Sequence, residues 1–439
     1  MIRHTFFCAA LLFSAALVFP QSNRDGALPG ETEGELRSLS VEESVLFARE
    51  HNISLARSQI TLDAAERTKS TSWNSISPSL SVTGGVSASD DALSDYTATL
   101  TGSISMSFSP NLFTTIKSAR LSYEQGKITY DDAVRTVELN VRQSFYALLY
   151  EKENITLQER NLETAKKQWD TNRAKYEQGR MSELDVLSAE VKYKNLVPTV
   201  ESAYVTYRND IAAFKQLLGI PMNERIELTG SLDDVLPVGD IQLDVEQLSS
   251  PALEKLRLQL AAAKTNVTAK RFSAYAPTVT ASYQHGLYPG SDEHIASSSQ
   301  LDQSGTISLK ATIPLDGLLP WSSSALAIDT AKDTLADLAL QIQNEETSLR
   351  VSVQSALRTI SQSRASITSK QASIDLARRT YEMTEQAYNR GTKDLLSLQD
   401  ASDSLLSAEV SLKSEERTLI NAVLSLENTL GVPFGSLGK

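Results

Sequence analysis

The chain has 439 residues, a formal net charge of −12, a sequence pI near 5.0 and only 6% aromatic residues. That acidity excludes nucleic acid as a natural partner, and a lone cysteine, Cys8, excludes a disulfide framework. Abundant Ala, Ser, Leu, Glu and Gln suit long helices packed side by side better than one thick core.

Residues 1–22 read as a secretory signal peptide. Arg3 and His4 precede an apolar stretch from Phe6 to Val18, which is too short to span a bilayer as a helix. Cleavage fits the small residues Ser14 and Ala16 or a point nearer Ser22. Cys8 lies inside the apolar stretch rather than at its end, so the mature chain reads as cysteine-free and without a lipid anchor. No later run approaches 18 apolar residues, so no membrane helix is expected.

The first repeat spans 23–218. Ser40-Val-Glu-Glu43 has the form of a capping box and predicts a helix to about Trp73. Pro78 opens a different pattern, with strands predicted over 78–90 and 95–109. In the second, Tyr96, Ala98, Leu100, Gly102, Ile104, Met106 and Phe108 alternate with Thr or Ser at every position between them. A helix over 111–176 would be about 100 Å long, and one over 185–218 about 50 Å. Gly179 separates them, and Pro198 predicts a kink or break in the second.

A linker at 219–247 is rich in Pro, Gly and Asp and would lie at mid-cylinder height. The second repeat, 248–439, has a helix from about Pro251 to Ala274, strands over 277–288 and 304–315, a long helix over 320–388 and a short one over 396–430. The repeats share a constant offset of 212 residues. Tyr176-Glu-Gln-Gly179 returns as Tyr388-Asn-Arg-Gly391, and Leu218-Gly-Ile-Pro221 as Leu430-Gly-Val-Pro433. Two short helices stacked end to end equal one long helix, which fits a hollow cylinder.

Alternation of this kind also describes a half-buried sheet in a soluble protein. Three features favour a membrane barrel. The strands have the length to cross hydrocarbon at a tilt. The polar face is almost pure Ser and Thr, which suits a wet lumen. Trp73 and Trp321 flank the strand pairs where an aromatic belt would sit. Four strands cannot close a barrel, and an open edge is not tolerated in lipid, so several chains are needed; the residues alone allow two, three or four.

Catalytic, cofactor and metal sites are not expected. The mature histidines, His51, His285 and His294, have no ligand spacing, and neither a phosphate loop nor a nucleophile motif is present. Energy for any transport must come from a partner.

On the paired Tyr-x-x-Gly turns, Asp185-Val-Leu, Asp400-Ala and the closing Leu-Gly-Ile/Val-Pro motifs, the chain from about Leu39 to Pro433 resembles the TolC-type outer-membrane factors of efflux and secretion systems. Each motif is short; two copies in register, each behind a strand pair and a long helix, are specific. The resemblance implies a homotrimer with a 12-stranded β-barrel in outer-membrane lipid on a 12-helix periplasmic α-barrel. It also implies a periplasmic adaptor (membrane fusion protein) and an inner-membrane exporter as partners. The helical-tip turns Gly179, Arg180, Gly391 and Thr392 would then dock the adaptor.

By the same resemblance Asp185, Tyr388 and Lys393 match gate partners, and Asp400 matches one of two acidic rings at the constriction. The second ring position is Ser397 here, which halves the charge, and Lys393 stands where the family has arginine and its bidentate fork. A ring of carboxylates concentrates cations and repels anions. At matched positions Asp185 faces Ser397, Ser188 faces Asp400 and Arg180 faces Thr392, so the repeats differ most at these turns. The alternatives are a periplasmic coiled-coil scaffold without a pore, for which the two-faced strands have no purpose, and a soluble enzyme or binding protein, for which no motif is present.

Overall fold

Two 67-residue helices dominate the computed structural model, which describes residues 36–89, 92–233, 236, 239, 241, 249–289 and 301–437. The signal peptide with Cys8, His294 and parts of both hairpin loops and of the 219–247 linker lie outside the described residues.

In chain order the elements are β1 (Leu36–Leu39), α1 (Val41–His51), α2 (Ile53–Ser70), β2 (Ser79–Ser89), β3 (Ala92–Phe108), α3 (Asn111–Glu177), α4 (Glu183–Leu218), β4 (Arg225–Leu228), α5 (Pro251–Tyr275), β5 (Thr278–Pro289), β6 (Leu301–Thr312), α6 (Ser323–Asn389) and α7 (Leu395–Leu430). Short 3-10 turns at Ser72–Ile76 and Asp316–Leu318 join helix to strand. None of the described helices is long and apolar enough to cross a membrane.

Every residue of α3 and α4 maps onto α6 and α7 at the 212-residue offset, including both tips. The offset is not constant over the whole repeat, however. Ser79 and Thr278, which open the two strand pairs, stand closer than that. Helices stacked side by side and end to end must match in length between repeats, whereas a hairpin can change length at its loop without disturbing its neighbours.

The expected single helix from Ser40 to Trp73 is in fact two. Its capping box is present, with Ser40 N–H donating to Glu43 Oε2 at 2.8 Å and Glu43 N–H to Ser40 Oγ at 3.3 Å. The buried Asn52 then ends α1 and caps α2, accepting from Ser54 N–H at 2.8 Å and Leu55 N–H at 3.2 Å. Its amide donates to Leu217 O at 2.7 Å, which ties the start of α2 to the end of α4. The break lets α1 lie against α3 and α4 at a joint between two stacked helices.

Gly219 makes that joint possible. Its φ is +79°, and a Cβ there would sit 2.5 Å from the His51 carbonyl oxygen. Its counterpart Gly431 stands against Pro251 at the α7–α5 joint. Pro198 does not break α4, which runs unbroken from Glu183 to Leu218. Packing along α3, through Val200 buried beside it and the stacked rings of Trp169 and Tyr193, outweighs the lost hydrogen bond.

The main core lies at this joint. β1 pairs in parallel with β4, and Leu39 and Leu228 pack over Phe145, Leu148, Leu149, Phe214 and Leu218. Beside it Arg142 donates two bonds to Glu42, at 3.0 and 2.9 Å, and also reaches Glu138, which Arg49 meets at 2.6 Å. The buried face of α7 carries Glu409, Glu416 and Glu427. Glu409 is paired with Arg160 and Arg378, Glu416 with Lys413, and Glu427 accepts from the amides of Gly435 and Leu437. Each of these three buried carboxylates thus has a partner.

Candidate functional site: a two-faced sheet and two helical tips

β2, β3, β5 and β6 form one antiparallel sheet in that order. Register gives each face a dominant character, apolar on one, with His285 among its residues, and hydroxyl on the other, with Gln284 and Lys310. Leu80, Ile104, Tyr283 and Ile307 align across the four strands, and all are exposed, Leu80 by 75% and Ile307 by 84%. In the next row Ser79, Ser105, Ser282 and Ser308 align on the opposite face. Their hydroxyls bond across strands: Ser79 to Ser105 at 2.7 Å, Ser81 to Ser103 at 2.6 Å, Ser282 to Ser308 at 2.6 Å and Ser107 to Thr280 at 3.1 Å. Neither face is covered, and the outer edges of β2 and β6 have no partner among the described residues. Trp73 and Trp321 both lie at the helix-side end of the sheet, 59% and 81% exposed.

The tips close the other end of the long helices. Gly179 and Gly391, at φ +69° and +77°, let the chain turn back in matched Schellman geometry. Arg180 N–H reaches Lys175 O at 2.9 Å, and Thr392 N–H reaches Ala387 O at 2.9 Å. Ser182 caps α4 and donates to Asp185 Oδ2 at 2.6 Å. Asp394 caps α7 by accepting from Ser397 N–H at 2.9 Å. Bonds from Ser397, and then the Lys393 ammonium, hold the Asp394 carboxyl below its usual range.

Tyr388 is the point where the two tips meet. Its hydroxyl donates to Asn172 Oδ1 at 2.6 Å and approaches Met181 Sδ at 3.8 Å, and the Lys175 ammonium lies 5.3 Å from its ring centre. Burial raises its pKa; the bond to Asn172 lowers it and the Asp185 charge raises it. Asp185 therefore acts on Tyr388 through its charge, while Asn172 makes the hydrogen bond. Lys393 is exposed on its turn, away from this contact. Sequence reasoning missed Asn172 because a polar residue within a long helix gives no signal until its partner 216 residues away is in place.

Asp400 is exposed and lines an open groove of about 700 Å³ with Lys370, Ser373, Asp403, Ser404, Ser407 and Ser411. Asp403 is a second carboxylate there, and Lys192 of α4 clasps it at 2.6 and 2.5 Å. Among the described residues no group of three His, Cys, Asp or Glu is placed to hold a metal. His51 stacks on Phe47 at 4.1 Å and His285 on Tyr283 at 6.4 Å, both ordinary packing contacts.

An amphipathic antiparallel sheet set on a sheaf of stacked long helices defines the class of outer-membrane channel subunits, and the comparisons agree. The structure superposes on the CmeC outer membrane channel of Campylobacter jejuni with a TM-score of 0.75, covering 94% of this chain and 93% of that one at 18% identity. With VceC of Vibrio cholerae the score is 0.72, covering 90% and 96% at 16% identity. The outer membrane protein TolC of Escherichia coli K12 is 22% identical over 318 residues, which are 69% of this chain and 63% of TolC. The outer membrane efflux protein family matches residues 47–218 and 243–432, and the chain belongs to that family. That family is one of outer-membrane proteins and not of enzymes, and the chain spans just under two thirds of the length of the curated relative it matches.

Proposed function

We propose that three copies of this chain form a passive exit duct, gated at its helical tips, for a tripartite efflux or type I secretion system. The observation that carries the reading is the sheet, with one face apolar but for His285 among the described side chains, an opposite face rich in hydroxyls, and two edges unpaired among the described residues. In lipid such edges must be closed by further strands, and three copies supply twelve. The apolar face then meets outer-membrane lipid, Trp73 and Trp321 mark its periplasmic boundary, and the hydroxyl face lines the lumen. Residues 23–218 and 248–439 act as two equivalent repeats around the tube, with 219–247 banding it at mid-height.

The tips carry the gate. Tyr388 with Asn172, under the charge of Asp185, holds the turns together, and Lys393 stands exposed on the turn beside them; Asp400 faces the groove beside Ser397 and sets ion preference at the constriction. Gly179, Arg180, Gly391 and Thr392 form the rim offered to a periplasmic adaptor, behind which an inner-membrane exporter supplies energy.

The test is current through a planar bilayer carrying the purified protein. The expected result is cation-preferring single channels from a homotrimer, with the anion-to-cation permeability ratio raised in Asp400→Ala. A protein that conducts with the ratio unchanged removes Asp400 from the constriction. One that extracts without detergent and never conducts is a periplasmic scaffold instead.

A further inference from the structure

Over the helix-side half of the hydroxyl face Lys310 is the one charged residue among those described; by strand alternation Asp95 of β3 and Asp302 of β6 share the face only toward the hairpin ends. Lys310 of β6 is in register with Thr280 of β5, which in turn bonds Ser107 of β3. Its ammonium is exposed and makes no ion pair or hydrogen bond among the described residues. Asp316, the next acidic residue along the chain, makes no pair with it either. Lys310 stands two residues before the end of β6, at the helix-side mouth of the sheet.

A lone lysine on a hydroxyl surface is weak by itself. Repetition changes that. Resting on the trimeric reading above, the geometry points to a ring of three Lys310 ammonium groups in the barrel lumen, which concentrates anionic solutes and binds small multivalent anions. Twelve strands about 4.8 Å apart and tilted near 40° make a ring roughly 24 Å across. Each lysine stem reaches roughly 6 Å inward, leaving the three charges about 10 Å apart. That is close to the Debye length of about 8 Å at physiological salt, so their fields overlap across the lumen. The low-dielectric wall strengthens the field, and Asp302, eight residues along β6, stands roughly 26 Å away at about 3.3 Å per strand residue, well beyond a Debye length. The duct then has an anion-attracting ring in the membrane and a carboxylate ring at the tips, in series and of opposite sign.

Two measurements on the full-length protein test this. In the first, a membrane-impermeant anionic methanethiosulfonate is applied to Lys310→Cys and Leu309→Cys reconstituted in bilayers; the mature chain offers no competing thiol. Lys310→Cys is expected to react and to lose current, with Leu309→Cys silent; the reverse pattern overturns the proposal by placing Lys310 against lipid. In the second, inorganic pyrophosphate is added from the hairpin side. Its half-blocking concentration is expected to rise at least about fivefold in Lys310→Gln and to stay within about twofold in Lys310→Arg, which keeps the charge. Equal block in wild type and Lys310→Gln overturns the ring while leaving the duct intact. Absence of any current from wild type overturns the duct, and the ring with it.

Discussion

The Tyr388 hydroxyl and the Asn172 carboxamide oxygen, 2.6 Å apart, join α6 to α3 just inside the tips. Asn172 is fully buried and its Nδ2 has no partner among the described residues, so this bond is what satisfies its amide at all. Tyr388→Phe leaves the whole amide buried and unpaired, at a cost of about 1.5 kcal/mol, or roughly tenfold in a closed-to-open equilibrium. We expect the variant to conduct more and to open more often in bilayers. Asp185→Asn, which removes only a charge acting at a distance, is expected to do less; the opposite order would make Asp185 the primary latch.

Lys192 neutralises Asp403 beside Asp400. Lys192→Gln frees that carboxylate in the groove and is expected to increase cation preference, opposite in sign to Asp400→Ala. Reversal potentials across a potassium chloride gradient measure both. Equal reversal potentials in Lys192→Gln and wild type would mean that Asp403 faces away from the permeating ions.

Stability should fall with rising pH through a window set by Glu151. Burial, then a hydrogen bond with Asp210 and that residue's charge, raise its carboxyl to about 7, against the opposing influence of Arg417. The folded chain therefore keeps a proton that the unfolded chain releases near 4.5, and stability declines from about pH 4.5 to about 7 and is level above it. Glu151→Gln removes this titration. Its thermal midpoint is expected to equal that of wild type near pH 5 and to exceed it near pH 8; parallel profiles would sink the assignment.

The two stacking joints differ in tolerance. In Gly219→Ala the new Cβ meets the His51 carbonyl oxygen at 2.5 Å, a backbone atom that cannot move without shifting α1. In Gly431→Ala it meets the Pro251 ring at 2.9 Å. Both also place Ala at positive φ. Losses of about 3 kcal/mol for the first and about 1–2 kcal/mol for the second are expected from denaturant titration.

What could be read in the sequence depended on how local the signal was. The strands from Leu80 to Phe108 and from Val279 to Thr312 declare themselves through alternation that runs over ten residues or more. The tips do so through Gly179 and Gly391, which only a turn requires. Asn52 was legible in principle as an Asn preceding a fresh apolar period, but His51 and Ile53 continue a helical pattern on either side. The β1–β4 pair was not legible. Each strand has four residues, and the parallel partner of Leu36 is Arg225, so nothing local marks the contact. Pro198 predicts a kink or a break from its missing N–H, and the break is absent because propensity acts locally, while the packing of α4 on α3 extends over the whole helix. At the tips, residue types pointed to Asp185 and Tyr388, but which group bonds the tyrosine depended on side-chain reach between helices far apart in sequence.

The cross-strand hydroxyl pairs have a consequence for anything that passes along them. Ser79 with Ser105, Ser81 with Ser103, Ser282 with Ser308 and Ser107 with Thr280 already bond to one another. A molecule sliding past meets a wall that wets well yet offers few unsatisfied donors to grip it. If that face lines the duct as proposed, then away from Lys310 it behaves as a low-friction coating: neutral cargoes of very different shape dwell on it only briefly, and their selection is left to whatever loads the tube.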